Sequence, residues 1–180
     1  MAVIVLDRDG VINYDSKDYI KSPEEFILIP GSLEAIASLF RAGHQIFIAT
    51  NQSGLARGFF DLPTLSEIHK KLEQPLEKLG AKLSGIFCCP HGPWEDCNCR
   101  KPRPGMYQAI SGLCSVPATE MYCVGDSLRD IQAARAVGAT AVLVLTGNGK
   151  KVSEKEIKGI MIFDDLLAFS KHFLESKKLA

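Results

Sequence analysis

Four short segments carry side chains whose types and spacing could do chemistry together. Asp7-Arg8-Asp9-Gly10 sets two carboxylates two residues apart, so on a continuing strand they would share a face. Thr50-Asn51-Gln52-Ser53 offers a run of hydroxyl and amide groups, and Cys99-Arg100-Lys101 puts a guanidinium beside an ammonium. Gly125-Asp126-Ser127-Leu128-Arg129-Asp130 adds two carboxylates and a hydroxyl. Singly, each reads as a turn or a helix start. Jointly they meet the needs of phosphoryl transfer: a nucleophile, a proton carrier, a divalent cation and donors around the phosphoryl oxygens. Asp7, Asp9 and Asp126 form a hard-oxygen set that suits Mg2+ better than a softer metal. Thr50, Asn51 and Lys101 can hold the phosphoryl group, the lysine by charge and the others by hydrogen bonds.

A fifth segment has a different chemistry. Cys89-Pro90-His91 and Cys97-Asn98-Cys99 supply three thiols and one imidazole over eleven residues. This is the donor set of a tetrahedral structural Zn2+ site, in which four protein ligands leave no position open. Cys88 closes the strand-like run Ile86-Phe87-Cys88, and Cys114 and Cys123 fall in apolar surroundings, so these three read as core thiols. Cys99 directly precedes Arg100 and Lys101, so a metal at Cys99 would also fix where those two cations point.

The elements that must position these groups follow from the apolar pattern. Val3–Leu6, Ile46–Thr50, Ile86–Cys88, Met121–Val124, Ala141–Leu145 and Ile160–Phe163 are short, β-branched-rich runs that predict buried strands. Between them, Ser32–Ala42 predicts a helix with Ser32 as N-cap and Gly43 after its last turn. Thr64 with Glu67 predicts a capping box opening a second helix that Pro75 breaks or kinks. Pro104 suits a first helical position, Leu128–Val137 is closed by Gly138, and Asp164 or Asp165 caps a last helix. Strand–helix alternation predicts an α/β fold: a Rossmann-like parallel sheet with helices on both faces. No repeat or linker divides the chain, so one domain over residues 1–180 is expected. Ligands on such sheets sit at the carboxyl ends of the strands, where the candidate residues fall.

Composition narrows the classes. The chain has 180 residues, with 21 Lys and Arg against 21 Asp and Glu. Zero net charge and no series of stacking aromatics argue against a nucleic-acid partner. No apolar run approaches the ~20 residues of a membrane span, and the N-terminus turns acidic at Asp7, where a signal peptide would stay apolar. A cytoplasmic, reducing setting is expected, in which paired Cys read as metal ligands before disulfides.

In order, Asp7-x-Asp9-Gly10-Val11, Thr50-Asn51, Lys101 and Gly125-Asp126-x3-Asp130 resemble the four motifs of the haloacid dehalogenase superfamily, spanning roughly residues 3–145. The resemblance implies a phosphatase in which Asp7 attacks phosphorus to form an aspartyl-phosphate. Asp9 would protonate the leaving oxygen and then activate water. Asp7, the Asp9 carbonyl and Asp126 would ligate Mg2+, and Thr50 and Lys101 would steady the phosphoryl oxygens. Asp130 reads equally as a ligand through water or as a helix cap.

Two groups of small family members carry this type of zinc loop, acting on a heptose bisphosphate of lipopolysaccharide core biosynthesis or on histidinol phosphate. Thr50–Gly58, Cys99–Met106 and Thr146-Gly147 are more similar to the first, which implies a phosphorylated sugar as substrate. No large cap domain fits in a chain this short. Substrate contacts are therefore expected from Asp15, Tyr19, Asn51, Gln52, Ser53, Arg57, Arg100 and Ser127, and a monomer is expected. Arg57 and Arg103 read equally as contacts to a second phosphate or as exposed loop residues. A non-catalytic zinc-binding module is the alternative from another class; it explains the Cys cluster but leaves the carboxylates without a purpose.

Overall fold

The computed structural model describes residues 1–178; the last two residues of the expected 1–180 domain lie outside the described residues. Its elements are β1 (Val3–Leu6), α1 (Ser32–Arg41), β2 (Gln45–Asn51), α2 (Leu62–Lys78), β3 (Gly85–Cys89), α3 (Gly105–Cys114), β4 (Met121–Gly125), α4 (Leu128–Ala136), β5 (Thr140–Val144), β6 (Met161–Phe163) and α5 (Leu166–Lys178). Six strands form one sheet in the order β3-β2-β1-β4-β5-β6, every pair parallel. All six expected strands are present.

Strand alternation divides the core in two. Ile4, Leu6, Ile46, Ile48, Val124 and Val142 face α1, α2 and α5, whose Ile36, Leu39, Leu72, Phe169 and Phe173 complete that layer. Val3, Val5, Phe47, Ala49, Cys123 and Leu143 face α3 and α4, packing on Tyr107, Ile110, Ile131 and Ala134. Both faces are thus buried, which explains why the strands read as continuous apolar runs.

Helix starts differ from expectation in instructive ways. The cap of α1 is Gly31, in the left-handed region, and Ser32 is already helical. Helix α2 opens at Leu62 with Asp61 as its cap, accepting from the Thr64 N–H; Thr64 is the donor rather than the cap. Pro75 lies inside α2 without ending it, because Leu65, Ile68, Leu72 and Leu76 keep their buried stripe across the lost rung. Pro104 is the cap of α3, one position before the expected one. Asp165 caps α5, accepting from the Ala168 N–H at 2.7 Å.

Chain order reverses at β1, with β2 on one side and β4 on the other. Leu6 is in register with both Ile48 and Val124, so β1, β2 and β4 end near one level. The residues that follow them meet in the crevice at this switch point.

Candidate active site

A cavity of about 250 Å³ opens at the carboxyl ends of the strands. Asp7 and Asp9 reach it from β1, Thr50 and Gln52 from β2, and Asp126 from β4. Arg100 and Lys101 enter on the long connection from β3 to α3. The turn after β1 is made at Gly10, whose φ of +83° and lack of a side chain both matter: a Cβ there would sit 2.2 Å from Asp126 Oδ2.

Three carboxylates and one ammonium form the floor. Lys101, 2% exposed, places Nζ 3.0 Å from Asp7 Oδ1 and 2.6 Å from Asp130 Oδ1. Its Nζ also donates to the Ala49 carbonyl at 2.7 Å. Burial would lower the Lys101 pKa, but Asp130 and Asp7 outweigh it and hold the ammonium charged. Asp130 behaves in the opposite sense: burial would raise it, while Lys101 and the Ser127 donors hold it below the usual carboxylate range. Burial pushes Asp7 well above that range, with Asp130, Asp126 and Asp9 adding repulsion that Lys101 only partly offsets. Asp126 is likewise pushed up to about 6, chiefly by burial.

Asp9 stands apart from this cluster. Arg8 Nε and Nη2 donate to Asp9 Oδ1 at 3.1 and 2.9 Å, and Nη2 also reaches Oδ2 at 3.0 Å. Asn13 Nδ2 donates to Oδ1 and Gln52 Nε2 to Oδ2, each at 2.8 Å. Burial alone would raise Asp9; the Arg8 charge and these hydrogen bonds reverse it and hold the carboxyl low. Beyond Arg8 lies His69 of α2, its Nε2 3.5 Å from Arg8 Nη1, with a pKa lowered to about 4 by burial and then by the Arg8 charge.

The donor set suits a hard divalent cation. Carboxylate oxygens of Asp7, Asp126 and Asp130 lie within 4.8 Å of one another, and burial first, then mutual repulsion, raises the Asp7 and Asp126 pKa values, a cost that a bound cation would offset. Asp130 is largely committed elsewhere. Its Oδ2 accepts from the Ser127 N–H at 3.0 Å and from the Ser127 hydroxyl in a full capping box on α4, and its Oδ1 holds Lys101. Of the two readings left open for Asp130, the cap is the one that this geometry displays.

Other expected residues have definite tasks. Asn51 clamps the Lys101 backbone, its Nδ2 donating to the Lys101 carbonyl and its Oδ1 accepting from the Lys101 N–H, each at 3.0 Å. Gln52 Nε2 bridges Asp9 and the Thr50 hydroxyl. Asp15, Tyr19, Ser53, Arg100 and Ser127 also line the cavity. Arg57 does not. It stacks between rings, 4.7 Å from the Trp94 centroid and 5.7 Å from that of Tyr19.

Sequence reasoning passed over Asn148. Its N–H donates to Asp126 Oδ2 at 2.7 Å, and its Nδ2 donates to Asp15 Oδ2 at 3.1 Å. The one available signal was position: Thr146-Gly147-Asn148 follows β5, as the other site segments follow their strands. Gly147, at φ +55°, allows this loop to close on Asp126, where a Cβ would stand 2.1 Å from Oδ2.

The Cys cluster closes as a four-atom site. Cys89 ends β3 and is buried; its Sγ lies 3.2 Å from Cys99 Sγ, 3.8 Å from Cys97 Sγ and 3.7 Å from His91 Nδ1. His91 Nδ1 is 3.2 Å from Cys99 Sγ. Tetrahedral bonds of about 2.3 Å give edges of about 3.8 Å, so the four atoms already approximate that polyhedron. Arg100 Nη1 donates to the His91 carbonyl at 3.1 Å, tying the adjoining cation to the loop.

Comparison with known proteins identifies the family of the chain. The HAD-hydrolase-like family model matches residues 98–169. Fold and site together are those of a phosphomonoesterase of the haloacid dehalogenase class. The chain is 48% identical to the D-glycero-beta-D-manno-heptose-1,7-bisphosphate 7-phosphatase of Pseudomonas putida, over 97% of this chain and 100% of that one. It is also 48% identical to the protein of that name from Bordetella bronchiseptica, over 97% of this chain and 99% of the relative. A crystal structure of the D,D-heptose 1,7-bisphosphate phosphatase from B. bronchiseptica, complexed with magnesium and phosphate, superposes with a TM-score of 0.93 at 47% identity, covering 98% of this chain and 99% of that one. The chain belongs to the family of these heptose-bisphosphate phosphatases.

Proposed function

We propose that the protein removes the 7-phosphate of D-glycero-D-manno-heptose 1,7-bisphosphate by Mg2+-dependent hydrolysis through an aspartyl-phosphate on Asp7. The observation that carries this reading is the near full-length likeness to a heptose-bisphosphate phosphatase solved with magnesium and phosphate. The site geometry supplies the chemistry. Asp7 faces the cavity from the end of β1, with its backbone neighbour Arg8 N–H donating to Oδ1 at 2.7 Å. That bond and Lys101 favour the ionised, nucleophilic carboxylate. Lys101 and Thr50 receive the phosphoryl oxygens and offset the repulsion between a carboxylate and a dianion.

Asp9, two residues on and held ionised at rest, is the proton carrier of the cycle: it takes a proton from the water that hydrolyses the acyl phosphate and gives it to the departing oxygen of the next substrate. Mg2+ held by Asp7, the Asp9 carbonyl and Asp126 supplies charge neutralisation and polarises a phosphoryl oxygen. Cys89, His91, Cys97 and Cys99 would hold a Zn2+ ion whose role would be structural, since all four donors come from the protein, and which would fix the loop carrying Arg100 and Lys101. Asp15, Tyr19, Asn51, Gln52, Ser53, Arg57, Arg100 and Ser127 form the substrate shell, either touching sugar and phosphates or holding the groups that do.

The wider setting belongs to the same proposal. The chain acts as one monomeric phosphatase domain over residues 1–180, cytoplasmic and without a nucleic-acid partner, in the ADP-heptose supply to lipopolysaccharide core. No helix among the described residues is long and apolar enough to cross a membrane, which is compatible with that setting.

Side-by-side turnover of heptose bisphosphate, histidinol phosphate and an aryl phosphate, with metal analysis, tests the reading. The heptose bisphosphate is expected to be preferred. Preference for histidinol phosphate overturns the substrate, and inactivity on all three points to a zinc-binding interaction module.

A further inference from the structure

Arg8 is among the largest fully buried side chains of the described residues, at 1% exposure, and nothing in the phosphoryl chemistry above uses its guanidinium. Burying a guanidinium is costly unless it is paired and hydrogen-bonded, and a buried ion pair adds little net stability over apolar residues of like size. A buried arginine beside the reacting groups therefore points to a task other than folding. Its surroundings are specific. Two of its nitrogens fork onto the Asp9 carboxylate, its third faces His69 Nε2 at 3.5 Å, and its Cζ lies 5.7 Å from the Phe26 ring centroid. The Arg8 carbonyl accepts from the Ile12 N–H at 2.8 Å, so the backbone that carries the guanidinium is pinned as well.

We infer that Arg8, braced by His69, is a positioning residue for the acid–base step: it sets the orientation of the Asp9 carboxyl toward the leaving oxygen. This rests on the proposed role of Asp9. The fork determines both the plane and the rotation of the carboxylate, which a single point charge cannot do. Asn13 and Gln52 hold the carboxylate too, but from neutral amides and one bond each. His69 contributes by accepting from Arg8 on the side away from Asp9, so that the guanidinium cannot rotate out of the fork. No proton or electron is transferred by Arg8 or His69.

The consequence is selective. An aligned Asp9 matters when the leaving oxygen is basic, as in a sugar or alkyl phosphate, and much less when it is a stable aryloxide that departs unprotonated. The measurement is kcat/KM on an alkyl phosphate and on p-nitrophenyl phosphate for Arg8→Lys, His69→Leu, His69→Gln and Asp9→Asn.

Arg8→Lys and His69→Leu are expected to lower the alkyl-to-aryl ratio by about tenfold or more, in the same sense as Asp9→Asn. His69→Gln, which keeps an acceptor, is expected to retain the wild-type ratio. Equal losses on both substrates for Arg8→Lys and His69→Leu, with a selective loss for Asp9→Asn, overturn the inference and leave the Asp9 reading standing. An unselective Asp9→Asn removes the Asp9 reading and this inference with it. If Arg8→Lys does not fold, as judged by circular dichroism, the His69 pair decides alone.

Discussion

The Lys101 ammonium sits 2.6 Å from Asp130 Oδ1 while Asp130 Oδ2 caps α4 through the Ser127 N–H, so one buried carboxylate ties a reacting cation to a helix end. Asp130→Asn keeps the shape and a cap acceptor but removes the charge. Breaking a buried pair leaves Lys101 poorly compensated, with an expected loss of about 3–5 kcal/mol in urea unfolding. kcat/KM is expected to fall about 100-fold, because Lys101 is no longer held at its working position. Unchanged stability would show that Asp7 alone suffices to hold Lys101.

Asp7→Asn should act in opposite directions on activity and stability. Burial and three neighbouring carboxylates push Asp7 well above its usual pKa, so its ionised form is strained in the metal-free protein. Replacing it with an uncharged isostere relieves that strain. Turnover is expected to fall about a thousandfold or more. The metal-free melting temperature is expected to rise by about 2–4 °C, the equivalent of ~1 kcal/mol at this size. A lower melting temperature would mean that the Lys101 contact outweighs the crowding.

Much of this was legible in the sequence because parallel α/β order fixes where strand-following residues meet. Asp7, Thr50, Lys101 and Asp126 could be gathered from separate segments, and the meeting of Cys89, His91, Cys97 and Cys99 from their spacing. Contacts that depend on side-chain direction were not legible. Asn51 and Gln52 sit among the expected substrate contacts, yet they spend hydrogen bonds on Lys101 and on Asp9 with Thr50. Arg57 is drawn onto Trp94, a pairing across two loops that no local pattern announces. His69 carries no motif, and only the fold brings α2 against Arg8. The start of α2 lies before the expected one because Asp61, not Thr64, is its cap, with Thr64 as the N–H donor.

Asn148 is expected to govern metal affinity without touching the phosphate. It donates from its backbone to Asp126 Oδ2, and its side chain links Asp126 to Asp15. Removing a group that orients a metal-binding carboxylate commonly costs about 10–100-fold in affinity. Asn148→Ala keeps the backbone donor and removes only the side-chain link to Asp126 and Asp15, so the Mg2+ concentration for half-maximal activity is expected to rise by no more than about tenfold, with activity largely regained at saturating Mg2+. A fall in the maximum that added Mg2+ does not restore would assign Asn148 to the substrate instead.

Cys97 completes the four-donor Cys/His cluster from within the loop that leads to Arg100 and Lys101. Its removal leaves three donors and frees that loop. Cys97→Ala is expected to bind less zinc than the parent when both are measured side by side by elemental analysis, to melt at lower temperature and to turn over more slowly. Coupling among the three is the point: a zinc-free variant with full activity would separate the loop from the placement of Lys101.

His69 sets an acid limit on stability. Its imidazole has a pKa lowered from 6.5 to about 4, by burial first and the Arg8 charge second. Between these values the unfolded chain takes up a proton that the folded chain refuses. The neutral imidazole's contribution is therefore whole above pH 6.5 and is lost as pH falls through 4. At about 1.4 kcal/mol per pH unit, the loss amounts to at most ~3 kcal/mol, less whatever the partly exposed ring regains from solvent. His69→Gln has no proton to gain in this window and still offers Arg8 an acceptor. Its stability is expected to fall less steeply than that of the parent between pH 6.5 and 4 in urea titrations, the two converging in slope above pH 7. Parallel profiles through the acid range would place His69 in contact with solvent and remove its hold on Arg8.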